Sequence, residues 1–210
     1  MKILNYKEFT SINEVSKNDP IPEVTRFKNN LGIILLGAPG VGKSTFINKF
    51  LTNVNYIKSF SSDDISLLYT NDPNTYHPGS NKLNIKKLEQ YIETGNSFIY
   101  DTTGINDENI IKISNKAKEN GYEMIFIHLF DTLDNALKNN KLRDRQASEE
   151  YLIDVYNKQF SFMPKYAKEL NPNKYYIVTI IDGKYKFKLY NWNSDDSKAK
   201  ILKRKNDKYI

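Results

Sequence analysis

"LGIILLGAPGVGKSTFINKF", residues 31–50, decides how the rest of this chain is read. Ile33–Leu36 is apolar on both faces, as a central parallel strand must be when helices cover both sides of its sheet. The strand runs into GAPGVGKS, where Gly37, Gly42, Lys43 and Ser44 meet the spacing G-x-x-x-x-G-K-[ST]. Glycines there let successive backbone N–H groups converge on a phosphate without interference from a Cβ. A helix from Ser44 to Thr52 directs the positive end of its dipole at the same point. Lys43 is long enough to reach β- and γ-phosphates, and the Ser44 hydroxyl suits a Mg²⁺ ion. Gly37, Ala38, Pro39, Gly40, Val41, Gly42, Lys43, Ser44 and Thr45 are therefore expected to cradle a nucleoside triphosphate, taken as ATP with Mg²⁺.

Outward from this loop, apolar runs alternate with helical periodicity. "NYIKSF" (55–60) reads as a short second strand leading to "SSDD" (61–64). A helix is expected over 81–94, with Leu88, Tyr91 and Ile92 on one face and Gly95 ending it. "SFIYD" (97–101) is a strand closing on Asp101, followed by a helix from Asp107 to Asn120 that Gly121 stops. "MIFIHLF" (124–130) is a fourth buried strand, and Leu133, Ala136 and Leu137 mark a short helix. Beyond the charged stretch "NNKLRDRQAS", a longer helix spans 149–168. Asp182-Gly183 between two β-rich runs is a two-residue hairpin signal. The expected fold class is α/β, a three-layer sandwich of the P-loop NTPase type with a parallel sheet and a C-terminal β-hairpin. Residues 1–30 read as an N-terminal extension, 31–170 as the nucleotide-binding domain, and 171–210 as a hairpin and basic tail on the same domain.

Composition narrows the class further. The 210 residues include no cysteine, which excludes disulfides and thiolate metal sites. No apolar run reaches the length of a membrane span, and the N-terminus lacks a signal-peptide core, so the chain is read as cytoplasmic with no membrane partner. The net charge of +6 favours polyanionic partners, and the tail "SKAKILKRKNDKYI" (197–210) holds much of the excess. A basic tail serves equally well as a solvated end.

The loop alone does not separate ATPases, GTPases and kinases. A GTPase would be expected to carry N-K-x-D, and the nearest string, "NNKL" (139–142), lacks the aspartate. Hydrolysis by a small ATPase and transfer to a hydroxyl remain. "FSSDDI" (60–65) follows the second strand, at the sheet edge that opens onto the phosphates. There Asp63, with Asp64 second, is placed to take the proton of an attacking hydroxyl, although adjacent aspartates after a strand also cap helices. Asp101 ends a buried strand, where a carboxylate holds the metal or the acceptor, and Thr102 and Thr103 either contact substrate or begin the turn. Arg143 and Arg145 lie in a charged segment that serves either as a mobile lid closing over the γ-phosphate or as a solvated basic loop. His128 reads as a strand-end residue with a structural hydrogen bond, and His77 lies on a Pro/Gly loop with nothing to pair with. Trp192 and its neighbouring tyrosines either stack on bases or pack a hairpin face.

Four stretches in order, "GAPGVGKST", "SSDD", "FIYDTTGIN" and "ALKNNKLRDRQASEEYL", resemble the polynucleotide kinase branch of P-loop kinases, best known from the bacteriophage 5′-hydroxyl kinase domain, with zeta-toxin kinases nearby. The resemblance covers about residues 32–160. It implies Lys43 and Ser44 on phosphates and metal, Asp63 as general base, Asp101 on the acceptor or metal, Arg143 as the lid arginine and Arg145 as its helper. Asn140 precedes Arg143 by the family's three residues. Ser66, Thr103 and Ser148 stand where the phage kinase has arginine, asparagine and proline. The expected function is phosphoryl transfer from ATP to a hydroxyl of a nucleic acid or nucleotide. A zeta-toxin-like small-molecule or nucleotide-sugar kinase and an NTP-hydrolysing regulatory module are the alternatives.

Overall fold

A computed structural model of the chain describes residues 21, 24, 29–51, 57–68 and 79–190. His77, Trp192, most of 1–30 and the basic tail 197–210 lie outside the described residues. The elements are β1 (Leu31–Leu36), α1 (Lys43–Phe50), β2 (Lys58–Ser61), α2 (Ser62–Leu67), α3 (Ser80–Ile92), β3 (Phe98–Thr102), α4 (Asp107–Glu119), β4 (Glu123–Phe130), α5 (Leu133–Lys141), α6 (Glu149–Leu170), β5 (Lys174–Ile181) and β6 (Lys184–Leu189). They form one six-stranded sheet in the order β2-β3-β1-β4-β5-β6. β1 to β5 are parallel, and β6 returns antiparallel to β5.

Local chemistry explains most of the boundaries. All six residues of β1 are buried, so its uniformly apolar sequence matches a strand flanked by β3 and β4 and covered on both faces. Side-chain oxygens cap four helices at amides of their first turn: Ser61 for α2, Asn106 for α4, Thr132 for α5 and Ser148 for α6. Asp182 and Gly183 both have positive φ, 49° and 70°, as a two-residue type I′ turn requires. β2 begins at Lys58, later than the expected 55–60, whose first two residues lie outside the described ones. α5 runs on to Lys141 and α6 to Leu170, each longer than its apolar periodicity indicates.

Alternation along the strands sorts the core into two faces. Phe126 of β4 and Tyr175 of β5 pack with Tyr166 of α6 on one side. On the other, Phe46 and Phe50 of α1 meet Tyr185 and Phe187 of the hairpin, with ring centroids 5.0–6.0 Å apart. The nominal extension also reaches this core, since Ile21 and Val24 are buried and Asn29 bridges Asn96. Among the described residues no helix is long and apolar enough to cross a membrane.

His128 makes the expected structural hydrogen bond but lies within β4 rather than at its end. It is fully buried, with Nδ1 3.3 Å from the Tyr175 hydroxyl. Burial pushes its pKa down to about 3, so the folded state holds the neutral ring. The unfolded chain binds one proton more than the native one between that value and 6.5, so stability falls as pH drops through this window. The expected loss from pH 6.5 to about pH 5 is about 2 kcal/mol. Urea midpoints of the wild type and His128→Leu across this range check it. The variant should lack the corresponding one-proton slope, and an unchanged slope would show that the ring is not held neutral.

Candidate active site

Strand register assembles the site. Leu35 of β1 pairs with Asp101 of β3, and Asp101 pairs with Ser61 of β2. The loop after β1, the end of β3 and the start of α2 therefore leave the sheet side by side. They do so at its carboxyl edge, where β1 lies between β3 and β4 and the strand order reverses.

The glycine loop is closely held. Gly42 adopts φ +89° at the N-cap of α1, which points the first amides of the helix into the cleft. Gly40 has φ +80°, and a Cβ there would come within 2.1 Å of the Ala136 carbonyl oxygen, so the loop lies directly on α5. Asn139 ties the two together by donating from Nδ2 to the Gly40 carbonyl at 3.0 Å. Lys43 folds back over the loop, donating to the Gly37 and Ala38 carbonyls at 2.8 and 3.4 Å, with Nζ 3.8 Å from Asp101 Oδ1.

Opposite the loop stand the carboxylates. Ser61 caps α2 by accepting from the Asp63 amide at 3.1 Å, so Asp63 and Asp64 occupy the first turn with their side chains free for other work. The sequence reading missed this helix of six residues, although a serine followed by acids is an N-terminal signature. Burial, and secondarily the neighbouring Asp63 charge, raises the Asp64 pKa. Burial likewise raises that of Asp101, with Lys43 the main opposing charge. Asp101 Oδ1 is buried and has no hydrogen-bond partner. This carboxylate, which Lys43 approaches only to 3.8 Å, and Ser44 line one cleft, a donor set of the hard-oxygen kind that Mg²⁺ takes.

The segment expected to be a lid, residues 142–148, lies between α5 and α6. Asn140 is buried, and its side chain closes the segment like a rung: Nδ2 donates to the Ala147 carbonyl at 2.8 Å, and Oδ1 accepts from the Ala147 amide at 3.0 Å. Ser148, where the phage kinase has proline, caps α6. Held this way, Arg145 Nη1 donates to Asp63 Oδ1 at 2.7 Å, and Arg143 Nη2 donates to Asp63 Oδ2 at 3.4 Å. Each guanidinium takes a different oxygen of one carboxylate.

These residues surround a cleft of about 1250 Å³. Pro39, Gly40, Gly42, Lys43, Ser44, Thr45, Asp63, Asp64, Asp101, Thr103, Arg143 and Arg145 all line it, whereas Gly37, Ala38 and Val41 form the loop behind. Thr102 lines it too, and its hydroxyl also faces the Gly104 amide at 3.4 Å. Asn106, Asn139 and Tyr151 complete the wall without having been singled out by sequence. Lone asparagines and an aromatic at a helix start carry no motif, and only the folded cleft collects them.

A sequence model of a family described as 50S ribosome-binding GTPase matches residues 32–163, more than half of the chain. No curated protein sequence matches it. Among solved structures, a chain of the AvrRxo1-ORF1:-ORF2 complex with ATP superposes with a TM-score of 0.60 at 12% identity, over 85% of this chain and 66% of that one. A chain of the PezAT chromosomal toxin–antitoxin system of Streptococcus pneumoniae gives 0.59 at 14% identity, over 91% and 88% of the two chains. A chain of the Pnkp1/Rnl/Hen1 RNA repair complex gives 0.55 at 17% identity, over 66% and 47%. The present chain thus spans just under two thirds of the first and about half of the third. At these identities the likeness is one of fold.

Proposed function

The chain belongs to the P-loop family described as 50S ribosome-binding GTPases, and from that nucleotide-binding frame we propose a phosphotransferase that moves the γ-phosphate of ATP to a hydroxyl of a nucleic acid or nucleotide. One observation carries this reading: Asp63 faces Arg143 and Arg145 across the cleft that also holds Lys43, Ser44 and Asp101. A base for an acceptor and a cationic lid for a transferring phosphoryl group are what in-line transfer needs. "NNKL" (139–142), without the aspartate of N-K-x-D, favours a donor other than GTP, and Asn139 is engaged with the Gly40 carbonyl.

In the reaction, the loop amides and Lys43 bind the β- and γ-phosphates. The Asp63 carboxylate takes the proton of the acceptor hydroxyl as its oxygen attacks the γ-phosphorus, and ADP leaves. Both Asp63 oxygens accept from guanidinium groups, which leaves neither open to an acceptor hydroxyl, so this arrangement of Asp63 with the lid is a resting one. The triphosphate draws Arg143 and Arg145 onto its own oxygens and releases the base. Ser44 and Asp101 are the residues that would hold Mg²⁺, which supplies charge neutralisation on the phosphates when bound.

Two other readings have their own support. The family's description favours NTP hydrolysis with inorganic phosphate as the only product. The zeta-toxin resemblance of the sequence motifs supports a small-molecule or nucleotide-sugar acceptor, and a chain of a toxin–antitoxin system shares the fold. Incubation with γ-labelled ATP and a panel of 5′-hydroxyl DNA, 5′-hydroxyl RNA, nucleosides, nucleotides and nucleotide sugars separates all three. Label on a polynucleotide or nucleotide is expected. Label only on a sugar nucleotide, or only in free phosphate, rejects the proposal.

Lys43→Ala should weaken both binding and turnover. A charge-assisted hydrogen bond contributes about 1.5–3 kcal/mol, so ATP affinity should fall roughly 10- to 150-fold. Calorimetric titration with ATP checks it, and an unchanged Kd would remove Lys43 from the phosphate site.

A further inference from the structure

A second cavity of about 580 Å³ opens beside the catalytic cleft, and Ser59, Ser61 and Asp64 line both. It follows edge strand β2 away from Asp63, with α3 as its opposite wall. Asn84, Lys87 and Tyr91 line it from positions three and four residues apart on one face of α3, and Thr94 continues the wall just past the helix end. Asn84 is fully buried in that wall, and neither its Oδ1 nor its Nδ2 has a hydrogen-bond partner. A buried amide with both ends unsatisfied is costly unless something else completes it.

The groove is aromatic and cationic. The Phe60 and Tyr91 rings lie 5.1 Å apart, and Lys58 Nζ sits 5.4 Å from each centroid. Lys87 stands exposed on the facing rim. Glu89 of α3 and Glu93 at its C-cap do not cancel this charge, because they are paired with Lys112 and Lys116 of α4. Among the described residues lining the groove, Asp64 is the only acid, and it stands at the catalytic end. From Asn84 to Tyr91 the helix face extends about 10 Å and the wall runs on to Thr94, longer than one small acceptor needs.

We propose that the groove between β2 and α3 is a track for single-stranded nucleic acid leading away from the reacting hydroxyl, with phosphates on Lys58 and Lys87 and a base against the Phe60–Tyr91 corner beside the Asn84 amide. The placement of the reacting end at Asp63 rests on the kinase reading. The track itself rests on the groove's shape and charge. Repeated anions joined to flat hydrogen-bonding rings match ammonium groups interleaved with aromatic rings, the combination that single-strand binders use. An acidic peptide would satisfy the lysines but leave the aromatic corner without a stacking partner.

The test uses the full chain and the variant K58Q/K87Q, in which two exposed lysines change and no cleft residue does. A short 5′-hydroxyl oligothymidylate, labelled at its 3′ end, is titrated by fluorescence anisotropy over a range of salt, and its phosphorylation is measured in parallel. The variant should bind the oligonucleotide roughly tenfold more weakly, with the slope of log K against log salt reduced by about 1.4, two phosphates' worth for a single strand. Its KM for the oligonucleotide should rise by the same factor while kcat and ATP affinity stay put. Weaker binding without any transfer by the wild type would uphold the track and sink the kinase reading. Equal binding and equal KM in both proteins, with transfer intact, would sink the track and leave the kinase. Absence of oligonucleotide binding by the wild type, or equally effective competition by hexaglutamate, also overturns the track.

Discussion

Asp63→Ala should lower kcat for phosphoryl transfer by on the order of 10³-fold, within the span general-base removal produces, while ATP affinity changes less than about tenfold. The reason is positional. Asp63 lies in the first turn of α2 and reaches the cleft, but Ser61, not Asp63, caps the helix. Removing the carboxylate therefore costs little structure. A first-turn acid contributes about 0.3–1 kcal/mol. Its ion pairs, with the Asp63 side chain 47% exposed, add at most about 1 kcal/mol. A fold that survives with its chemistry gone is the signature of a catalytic group. Single-turnover transfer under saturating ATP measures it, alongside a thermal melt. Hydrogen exchange supplies a second readout: without nucleotide, the 141–148 segment should exchange faster in the variant, because its anchor is lost. Near-wild-type transfer would remove Asp63 from the mechanism.

The lid arginines carry the second large effect. Arg143→Ala and Arg145→Ala should each reduce kcat by about 10³-fold or more, the scale of an arginine that neutralises a transferring phosphoryl group. Spacing from Asn140 favours Arg143 as the direct participant, whereas geometry makes Arg145 the tighter partner of Asp63, at 2.7 Å against 3.4 Å. The double variant Asp63→Ala/Arg143→Ala distinguishes a unit from two separate contributors. If base and lid act in one step, the double variant should be about as slow as the slower single one, since effects within a catalytic unit do not add. Multiplicative losses would assign the two groups to different steps. Should Arg145→Ala alone leave kcat intact, Arg145 would serve only to hold the resting lid.

Much of this molecule is written in short-range patterns. The apolar run into GAPGVGKS, the Asp101 that ends β3, the serine, threonine and asparagine caps, and Asp182-Gly183 are each decided within a few residues. Backbone sterics and local hydrogen bonds act over that distance. α2 escaped because six residues make too few turns to show a helical period. His128 escaped because alternation says which face a residue takes, and not whether the neighbours supplied by β5 and α6 leave it any water.

From its sequence alone, the chain determined a strand–loop–helix of the nucleotide-binding kind, an α/β order of elements, and which charged residues follow each strand. Tertiary structure alone decided that Asp63 meets arginines some eighty positions later, that Asn139 braces Gly40, and that β2 and α3 enclose a basic, aromatic groove. Periodicity and turn chemistry are properties of neighbours along the chain. Contacts across the sheet depend on strand order and register, which emerge only when all the buried faces are satisfied together.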